Sequence, residues 1–279
     1  MKYYTVLTIA GSDSCGGAGI QADIKTMSAL GVYAASAITA VTVQNTKGVY
    51  AIQDIKPEIV KGQIEAVIED IHPQAIKIGM VNDKATIHAI AETLQKYKKD
   101  EQAKEVFQNL IIDPVMVSTS GCRLMQEDAL DVFNSELLPM ATLLTPNIPE
   151  AEILAGMKIQ SHEDIRTAAQ AICKLGCKYV LIKGGHFEGN EKIDYLFEDG
   201  KQITSYKGMN INTRNTHGTG CTLSSAIASY LAREFDMNTA IAMAKTYLTG
   251  AILAGKGVEI GEGHGPVNHF YEPKSLFIK

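Results

Sequence analysis

The segment TVLTIA (residues 5–10) is followed by GAGIQADIKTMSAL (17–30) and by AASAITAVTV (34–43). The first and third segments predict buried strands, because they are short, apolar and rich in β-branched residues. The second segment predicts a helix, and Gly31 is a natural stop after it. A strand, a helix and a strand in succession are typical of an α/β fold with a parallel sheet.

The same alternation continues along the sequence. Amphipathic patterns predict further helices at residues 57–71, 84–98, 127–138, 150–155, 161–175, 219–234 and 238–254. Apolar runs predict strands at residues 75–78, 109–113, 141–145 and 179–182, with two or three shorter strands between 193 and 206. We expect a three-layer αβα sandwich around a mainly parallel sheet, and, since no repeat or linker is seen, one domain over residues 1–279. In such sheets ligands bind beyond the carboxyl ends of the strands.

The composition argues against several classes of protein. Lys plus Arg number 26 and Asp plus Glu number 31, so the net charge is −5, which disfavours a nucleic-acid partner. The most apolar stretch, residues 33–43, is shorter than the roughly 20 residues that cross a bilayer, and residues 1–4 do not begin a signal peptide. Five cysteines, an odd number, suit a reducing compartment. We therefore expect a cytoplasmic protein with no membrane or nucleic-acid partner.

Residues 17–22 (GAGIQA) fit the pattern G-x-G-x-x-A between a strand and a helix, as in dinucleotide-binding folds. That kind of site also needs an acidic residue about 20 positions later, at the end of the second strand. The sequence has Val43, Gln44 and Asn45 there, so a dinucleotide site is disfavoured. The glycines are compatible with close approach of a ligand to the backbone or with a simple turn.

Residues 215–222 (NTHGTGCT) form a Gly-rich turn before a helix of small residues. Such a turn directs several free N–H groups, at the positive end of the helix dipole, toward one point. The Lys-Ser/Thr pair of a P-loop is missing. The pattern therefore indicates either a phosphate-binding loop or an ordinary helix start.

Two acidic residues lie at the ends of neighbouring predicted strands. Asp113 ends one strand, and Glu150 follows the next after the turn TPNIP (145–149). Each is compatible with a helix cap, and together beside a phosphate loop they are compatible with Mg²⁺, which prefers carboxylate and phosphate oxygens. Lys183 ends another strand and either neutralises nucleotide phosphates or reaches solvent. The seven histidines lack an H-E-x-x-H spacing, and Cys173 and Cys177 fit one helix, so no zinc site is predicted.

Taken together and in this order, the motifs resemble the hydroxymethylpyrimidine/phosphomethylpyrimidine kinases of thiamine biosynthesis. This family belongs to the ribokinase-like superfamily, together with the pyridoxal kinases. The resemblance extends over nearly the whole sequence, and the ordered set is far more specific than any single motif. The matching segments are TIAGSDS (8–14), GGAGIQAD (16–23), VQNT (43–46), KIGM (77–80), DPVM (113–116), TPN (145–147), KGGH (183–186), NTHGTGCT (215–222) and GHGPV (263–267).

The resemblance implies a ribokinase-like αβα sandwich that uses ATP and Mg²⁺ to phosphorylate 4-amino-5-hydroxymethyl-2-methylpyrimidine and then its monophosphate. It also implies a homodimer. The carboxamide of Gln44 would contact the pyrimidine, since it offers a donor and an acceptor to an amine beside a ring nitrogen. The other expected pocket residues are Gly11, Ala18, Asp23, Val43 and Met80. For the metal and phosphates we expect Asp113 and Glu150, for the nucleotide Asn147, Lys183 and Thr216, and for the anion hole Gly218, Thr219, Gly220 and Cys221.

The sequence departs at Cys221 from the sugar kinases of the superfamily, which carry an aspartate base at that point. The pyrimidine kinases share the cysteine, so it supports the narrower resemblance. Whether its thiol accepts the hydroxyl proton is left open by the sequence. Two alternatives are a pyridoxal kinase of the same fold and a non-catalytic vitamin-binding regulator, against which the acids, the lysine and the anion loop argue.

Overall fold

The computed structural model describes residues 1–99, 108–117, 124–185 and 192–279; His186 and Cys122 lie outside them. One sheet contains nine strands in the order β3-β2-β1-β4-β5-β6-β7-β8-β9. The strands are β1 (Thr5–Asp13), β2 (Tyr33–Asn45), β3 (Gly48–Asp54), β4 (Ala75–Ile78), β5 (Leu110–Ile112), β6 (Leu143–Leu144), β7 (Tyr179–Gly185), β8 (Lys192–Glu198) and β9 (Lys201–Gly208).

The centre of the sheet is parallel and its edges are antiparallel. Strands β2, β1, β4, β5, β6 and β7 all pair in parallel. Strand β3 is antiparallel to β2 at one edge, and β8 and β9 form an antiparallel pair after β7 at the other. The carboxyl ends of six parallel strands therefore meet along one edge of the sheet.

Helices cover both faces of the sheet. The helices are α1 (Gly19–Ala29), α2 (Pro57–Asp70), α3 (Lys84–Lys98), α4 (Leu130–Val132), α5 (Ile148–Ala155), α6 (His162–Cys173), α7 (Thr219–Ala232) and α8 (Met237–Gly255). One hydrophobic core joins the sheet to α2, α3, α5 and α6, and a second joins it to α1, α7 and α8. Successive strand residues alternate between these cores, since Leu110 and Ile112 lie in the first and Ile111 in the second. The expected αβα sandwich is confirmed.

Two local details differ from the sequence predictions, and the structure also shows how helix α3 begins. Strand β3 was not predicted, because its half-exposed residues lack a buried face. The helix expected at 127–138 is a run of short pieces, with 3₁₀ turns at Glu127–Ala129 and Leu138–Met140 and a π-turn at Phe133–Leu137 around α4. Helix α3 is capped by Asp83, whose carboxylate accepts from two backbone N–H groups. Within the described ranges, no helix has the length and apolarity needed to span a membrane.

Candidate active site

A cleft lies beyond the carboxyl ends of the parallel strands, as the topology requires. It encloses about 850 Å³, including its mouth, which is open to solvent. The predicted site residues that line it are Gly11, Ala18, Gln44, Met80, Asp113, Asn147, Glu150, Lys183, Gly218, Thr219, Gly220 and Cys221. One cavity is therefore lined by residues expected to bind the pyrimidine, the metal, the nucleotide and the anion.

The anion loop, residues 218–221, forms the start of helix α7. Gly218 is the N-cap residue with φ +80°, and a Cβ there would lie 1.9 Å from the carbonyl oxygen of Gly17. Glycine is therefore required at this position for both its backbone conformation and its missing side chain. The first N–H groups of a helix have no partner inside it. The Thr219 N–H donates to the Thr216 carbonyl, which leaves those of Gly220 and Cys221 for an anion in the cleft.

A buried ion pair lies beside this loop. Lys183 Nζ donates to Asp113 Oδ1 at 2.8 Å, and Thr145 Oγ1 donates to the same oxygen at 3.0 Å. Burial raises the pKa of the Asp113 carboxyl, but the nearby ammonium groups of Lys183 and Lys77 outweigh it and hold that pKa below its usual value. Asp113 therefore carries a negative charge at the cleft wall, and Lys183 a positive one.

Asn147 and Glu150 form a reciprocal capping box at the start of α5. The Asn147 N–H donates to Glu150 Oε2, and the Glu150 N–H donates to Asn147 Oδ1, each at 2.9 Å. Burial raises the pKa of Glu150 to about 7, although Lys183 opposes the shift. Both side chains also line the cleft, so the cap orients an acid and an amide toward it.

Asp23, Val43 and Thr216 do not line the cleft. Asp23 is fully buried, and Lys77 Nζ donates to both of its carboxylate oxygens at 2.9 and 2.8 Å. Thr8 and Ser225 hydroxyls also donate to Asp23, at 2.6 and 2.7 Å. These partners occupy the carboxylate, so the structure corrects the expected substrate contact of Asp23 to a buried network between β1, β4, α1 and α7. Val43 points away from the cleft and is 59% exposed, and the Thr216 carbonyl accepts from the Thr219 N–H at 3.3 Å.

Two residues that sequence reasoning missed, Asp13 and His217, also line the cleft. Asp13 Oδ2 accepts from the N–H groups of Gly17 and Ala18 at 3.0 and 2.8 Å and lies 2.9 Å from His217 Nε2. Both residues lie inside matching motifs, but their contact spans 204 residues and has no local signal. Burial raises the pKa of Asp13, and hydrogen bonds from His217 and Cys15 bring it below its usual value.

The ligand atoms of Asp13, Cys15 and His217 lie within 4.8 Å of one another, which is close enough for a metal. Hydrogen bonds explain this proximity, since the Cys15 Sγ also donates to Asp13 Oδ2 at 3.3 Å. Burial raises the pKa of Cys15 to about 11, so the thiol keeps its proton at neutral pH.

The segment 263–267 connects two walls of the cleft. The N–H groups of Gly263 and His264 donate to Thr46, to its Oγ1 at 3.1 Å and its carbonyl at 2.9 Å. At the other end, the His217 N–H donates to the Gly265 carbonyl at 3.1 Å, and the Val267 N–H donates to the His217 carbonyl at 3.3 Å. The segment thereby holds the end of β2 at a fixed position relative to the anion loop.

Residues 13–268 match the sequence model of the phosphomethylpyrimidine kinase family. The chain belongs to this family. A hydroxymethylpyrimidine/phosphomethylpyrimidine kinase of Rhizobium meliloti (strain 1021) is 49% identical over 266 residues, which are 95% of this chain and 96% of the relative. The expected kinase family and the phosphotransferase activity that defines it are confirmed.

Solved structures agree with this assignment. A phosphomethylpyrimidine kinase from Clostridium difficile 630 superimposes with a TM-score of 0.76 at 46% identity, over 89% of this chain and 99% of that one. An ADP complex of Bacillus subtilis pyridoxal kinase superimposes with a TM-score of 0.84 at 32% identity, over 96% of this chain and 98% of that one. The fold is therefore ribokinase-like, and a phosphomethylpyrimidine kinase and a pyridoxal kinase share it.

Proposed function

We propose that this chain transfers a phosphoryl group from ATP to 4-amino-5-hydroxymethyl-2-methylpyrimidine and then to the monophosphate of that alcohol. One observation carries the proposal: Gln44, which suits the amine and ring nitrogen of the pyrimidine, lies in the same cleft as the anion loop. Gln44 Nε2 is 3.3 Å from the ring of His217, the residue that precedes Gly218. A pyrimidine held by Gln44 thus lies beside the N–H groups that bind the transferring phosphoryl group.

We place the nucleotide and its metal on the side of the anion loop away from Gln44. Asp113 and Glu150 supply oxygen ligands, which fit Mg²⁺, and Lys183 and Asn147 face the same space. Mg²⁺ there would neutralise charge on the nucleotide phosphates. Thr216 lies outside the cleft, so we assign its expected part in nucleotide binding to support of the turn through its carbonyl.

We assign a second cavity to the nucleoside part of ATP, and Asp194 links it to the strand that carries Lys183. The Gly184 N–H donates to Asp194 Oδ1 at 2.7 Å, and Lys245 pairs with the other oxygen of Asp194. Lys245 also lines this cavity, together with Tyr206, Gly208, Met209, Ala242, Thr246 and Thr249.

In this proposal, phosphoryl transfer is accelerated by the positioning of the two substrates and by the stabilisation of charge. The free N–H groups of the anion loop and the ammonium of Lys183 stabilise the charge on the transferring group. Burial raises the pKa of the Cys221 thiol to about 11, although Lys77 opposes the shift, so the thiol is protonated at neutral pH. We therefore assign Cys221 the role of orienting the hydroxyl rather than that of a thiolate base.

We also propose that the protein is cytoplasmic and forms a homodimer, as the family resemblance suggests. The exposed edge of the sheet supports the dimer, because Val41, Val43 and Tyr50 present apolar side chains there at 46, 59 and 64% exposure. Light scattering of the purified protein measures the oligomeric state directly, and a monomer at micromolar concentration would contradict this proposal.

ADP release measured in parallel with the hydroxymethylpyrimidine, its monophosphate and pyridoxal tests the catalytic proposal. The structural similarity to pyridoxal kinase makes pyridoxal the informative competitor. We expect the highest kcat/KM for the two pyrimidines. Faster turnover of pyridoxal would replace the proposal with a pyridoxal kinase, and no ADP release with any acceptor would overturn it.

A further inference from the structure

Asp13 and His217 form a hydrogen-bonded pair in the wall of the cleft, directly beside the carboxamide of Gln44. His217 Nε2 is 2.9 Å from Asp13 Oδ2 and 3.3 Å from the side-chain nitrogen of Gln44. His217 is 7% exposed and Asp13 is 3% exposed, so water does not substitute for these contacts.

The hydrogen-bond partners of Asp13 determine which atom of His217 carries hydrogen. Asp13 accepts from the backbone N–H groups of Cys15, Gly17 and Ala18 at 2.8–3.0 Å, which is the environment of an ionised carboxylate. A carboxylate only accepts hydrogen bonds, so the hydrogen between the two residues belongs to His217 Nε2. A protonated Nε2 has no lone pair, so His217 cannot accept from Gln44, and the positive edge of its N–H favours an oxygen over an NH₂ group at that position.

The position of the Thr42 hydroxyl hydrogen, on the other side of Gln44, follows from the same kind of argument. Thr42 Oγ1 is 2.8 Å from the Ser12 carbonyl and 3.2 Å from the Gln44 side-chain oxygen. A hydroxyl has one hydrogen, and the Ser12 carbonyl, which only accepts, takes it. Thr42 therefore presents a lone pair toward Gln44.

Both neighbours favour the same orientation of the amide. A half-turn about the last bond of the Gln44 side chain exchanges its oxygen and nitrogen, which have nearly the same shape. After that half-turn the oxygen faces the His217 Nε2–H as a second, longer acceptor beside Asp13, and the nitrogen donates to Thr42 Oγ1. The Gln44 backbone is fixed independently, because its N–H and carbonyl both bond the Ser14 hydroxyl, at 2.9 and 2.8 Å.

We infer that Asp13 and His217 are specificity-determining positioning residues, which fix the Gln44 carboxamide with its oxygen toward the anion loop and so set the orientation of the bound pyrimidine. The inference rests on the proposed function. An oxygen on the His217 side accepts from the exocyclic amine, and the nitrogen on the Thr42 side donates to the adjacent ring nitrogen. The hydroxymethyl carbon is next to the amine-bearing carbon, on the side away from that ring nitrogen. With the Gln44 oxygen on the His217 side, the hydroxymethyl group points toward the anion loop. With the Gln44 oxygen on the Thr42 side, the pyrimidine binds the other way round and the hydroxymethyl group points away from the loop.

The test compares the amino substrate with its 4-oxo analogue, in which the ring nitrogen carries hydrogen and the exocyclic atom accepts. The fixed Gln44 amide offers its oxygen to the amine of the amino substrate and its N–H to the adjacent ring nitrogen. With the analogue, the same amide places its oxygen against an oxygen and its N–H against an N–H. We expect His217→Leu to lower the ratio of the two kcat/KM values by roughly tenfold or more, because the amide is then free to turn and match the analogue. His217→Gln supplies an NH₂ group that can donate to Asp13 and still turn an N–H toward Gln44, so it should retain most of the ratio.

Three controls separate this inference from a structural effect. His162→Leu removes a histidine contact to Tyr195 of 2.8 Å far from the cleft and should leave the ratio unchanged. If His217→Leu lowers both kcat/KM values equally, with the melting temperature of the His217→Gln protein intact, the inference is wrong. Gln44→Ala should abolish the ratio; if it does not, the proposed pyrimidine contact itself fails, whatever the His217 variants do.

Discussion

Gly218 is the residue at which the anion loop depends most on a missing side chain. Its φ of +80° and the 1.9 Å from its ideal Cβ position to the Gly17 carbonyl oxygen exclude alanine without a shift of the loop. We expect Gly218→Ala to lower kcat by about 100-fold or more, since each misplaced donor of an anion hole costs that much.

Gly220→Ala is the matched control, because Gly220 has an ordinary φ and its Cβ would meet side-chain atoms rather than backbone, with Asp113 Oδ2 at 3.1 Å and Lys183 Nζ at 3.6 Å. This variant should keep clearly more activity than Gly218→Ala in the same steady-state ADP-release assay. Equal activity of the two variants would show that the backbone of Gly218 does not shape the anion site.

Cys221 allows the roles of a thiol and a thiolate to be distinguished. Positioned general bases contribute about 10²–10⁴-fold, but a thiol with a pKa of about 11 is protonated at neutral pH. We therefore expect Cys221→Ala to lose less than about 100-fold in kcat, and Cys221→Ser, which keeps a hydrogen-bonding group, to lose less still.

The pH dependence of kcat for the two Cys221 variants provides the check. If the thiol only orients the substrate, the profiles of wild type and Cys221→Ser have the same shape between pH 6 and pH 9. A rate that rises with pH in the wild type and stays level in the serine variant would assign the proton transfer to the thiolate.

Elements of the fold are held together by the buried Asp23–Lys77 pair, which joins α1 to β4. Both side chains are fully buried, and removing one partner of such a pair leaves an uncompensated charge. We expect Lys77→Met to lower the free energy of unfolding by about 3–5 kcal/mol, and the double variant Asp23→Asn/Lys77→Met to recover most of that loss. Urea denaturation measures both, and a double variant no more stable than Lys77→Met would contradict the pairing.

At this scale the sequence predicts most elements, and the exceptions have physical causes. Long amphipathic helices such as α2, α3 and α6 bury one face, and that periodicity is visible in the sequence. Strand β3 pairs at an edge with both faces partly exposed, so it has no such pattern. The motifs also predict which strand ends contribute to the site. The burial of Asp23 could not be predicted in this way, because it depends on a contact with Lys77, which lies 54 residues away.

At the scale of the whole molecule, the segment 263–267 connects the end of β2, which carries Gln44, to the anion loop. A Cβ on Gly263 would lie 2.0 Å from the Thr46 carbonyl oxygen, so Gly263→Ala must separate the two. We expect KM for the pyrimidine to rise several-fold while KM for ATP is unchanged, because Thr46 adjoins the strand end that carries Gln44. A larger effect on ATP than on the pyrimidine would show that the segment supports the nucleotide side instead.

The contact between Asp13 and His217 also has a consequence for the order in which the protein is built. Ribosomes make chains from the amino end, and domains of this size gain structure as they emerge. Asp13 is synthesised 204 residues before His217, so the wall that the two residues share is completed only late in synthesis. A ribosome-stalled nascent chain that ends before residue 217 should therefore fail to retain the pyrimidine, however much of its sheet has formed. Substrate can stabilise only the finished enzyme, and it offers no help to the chain during most of its synthesis.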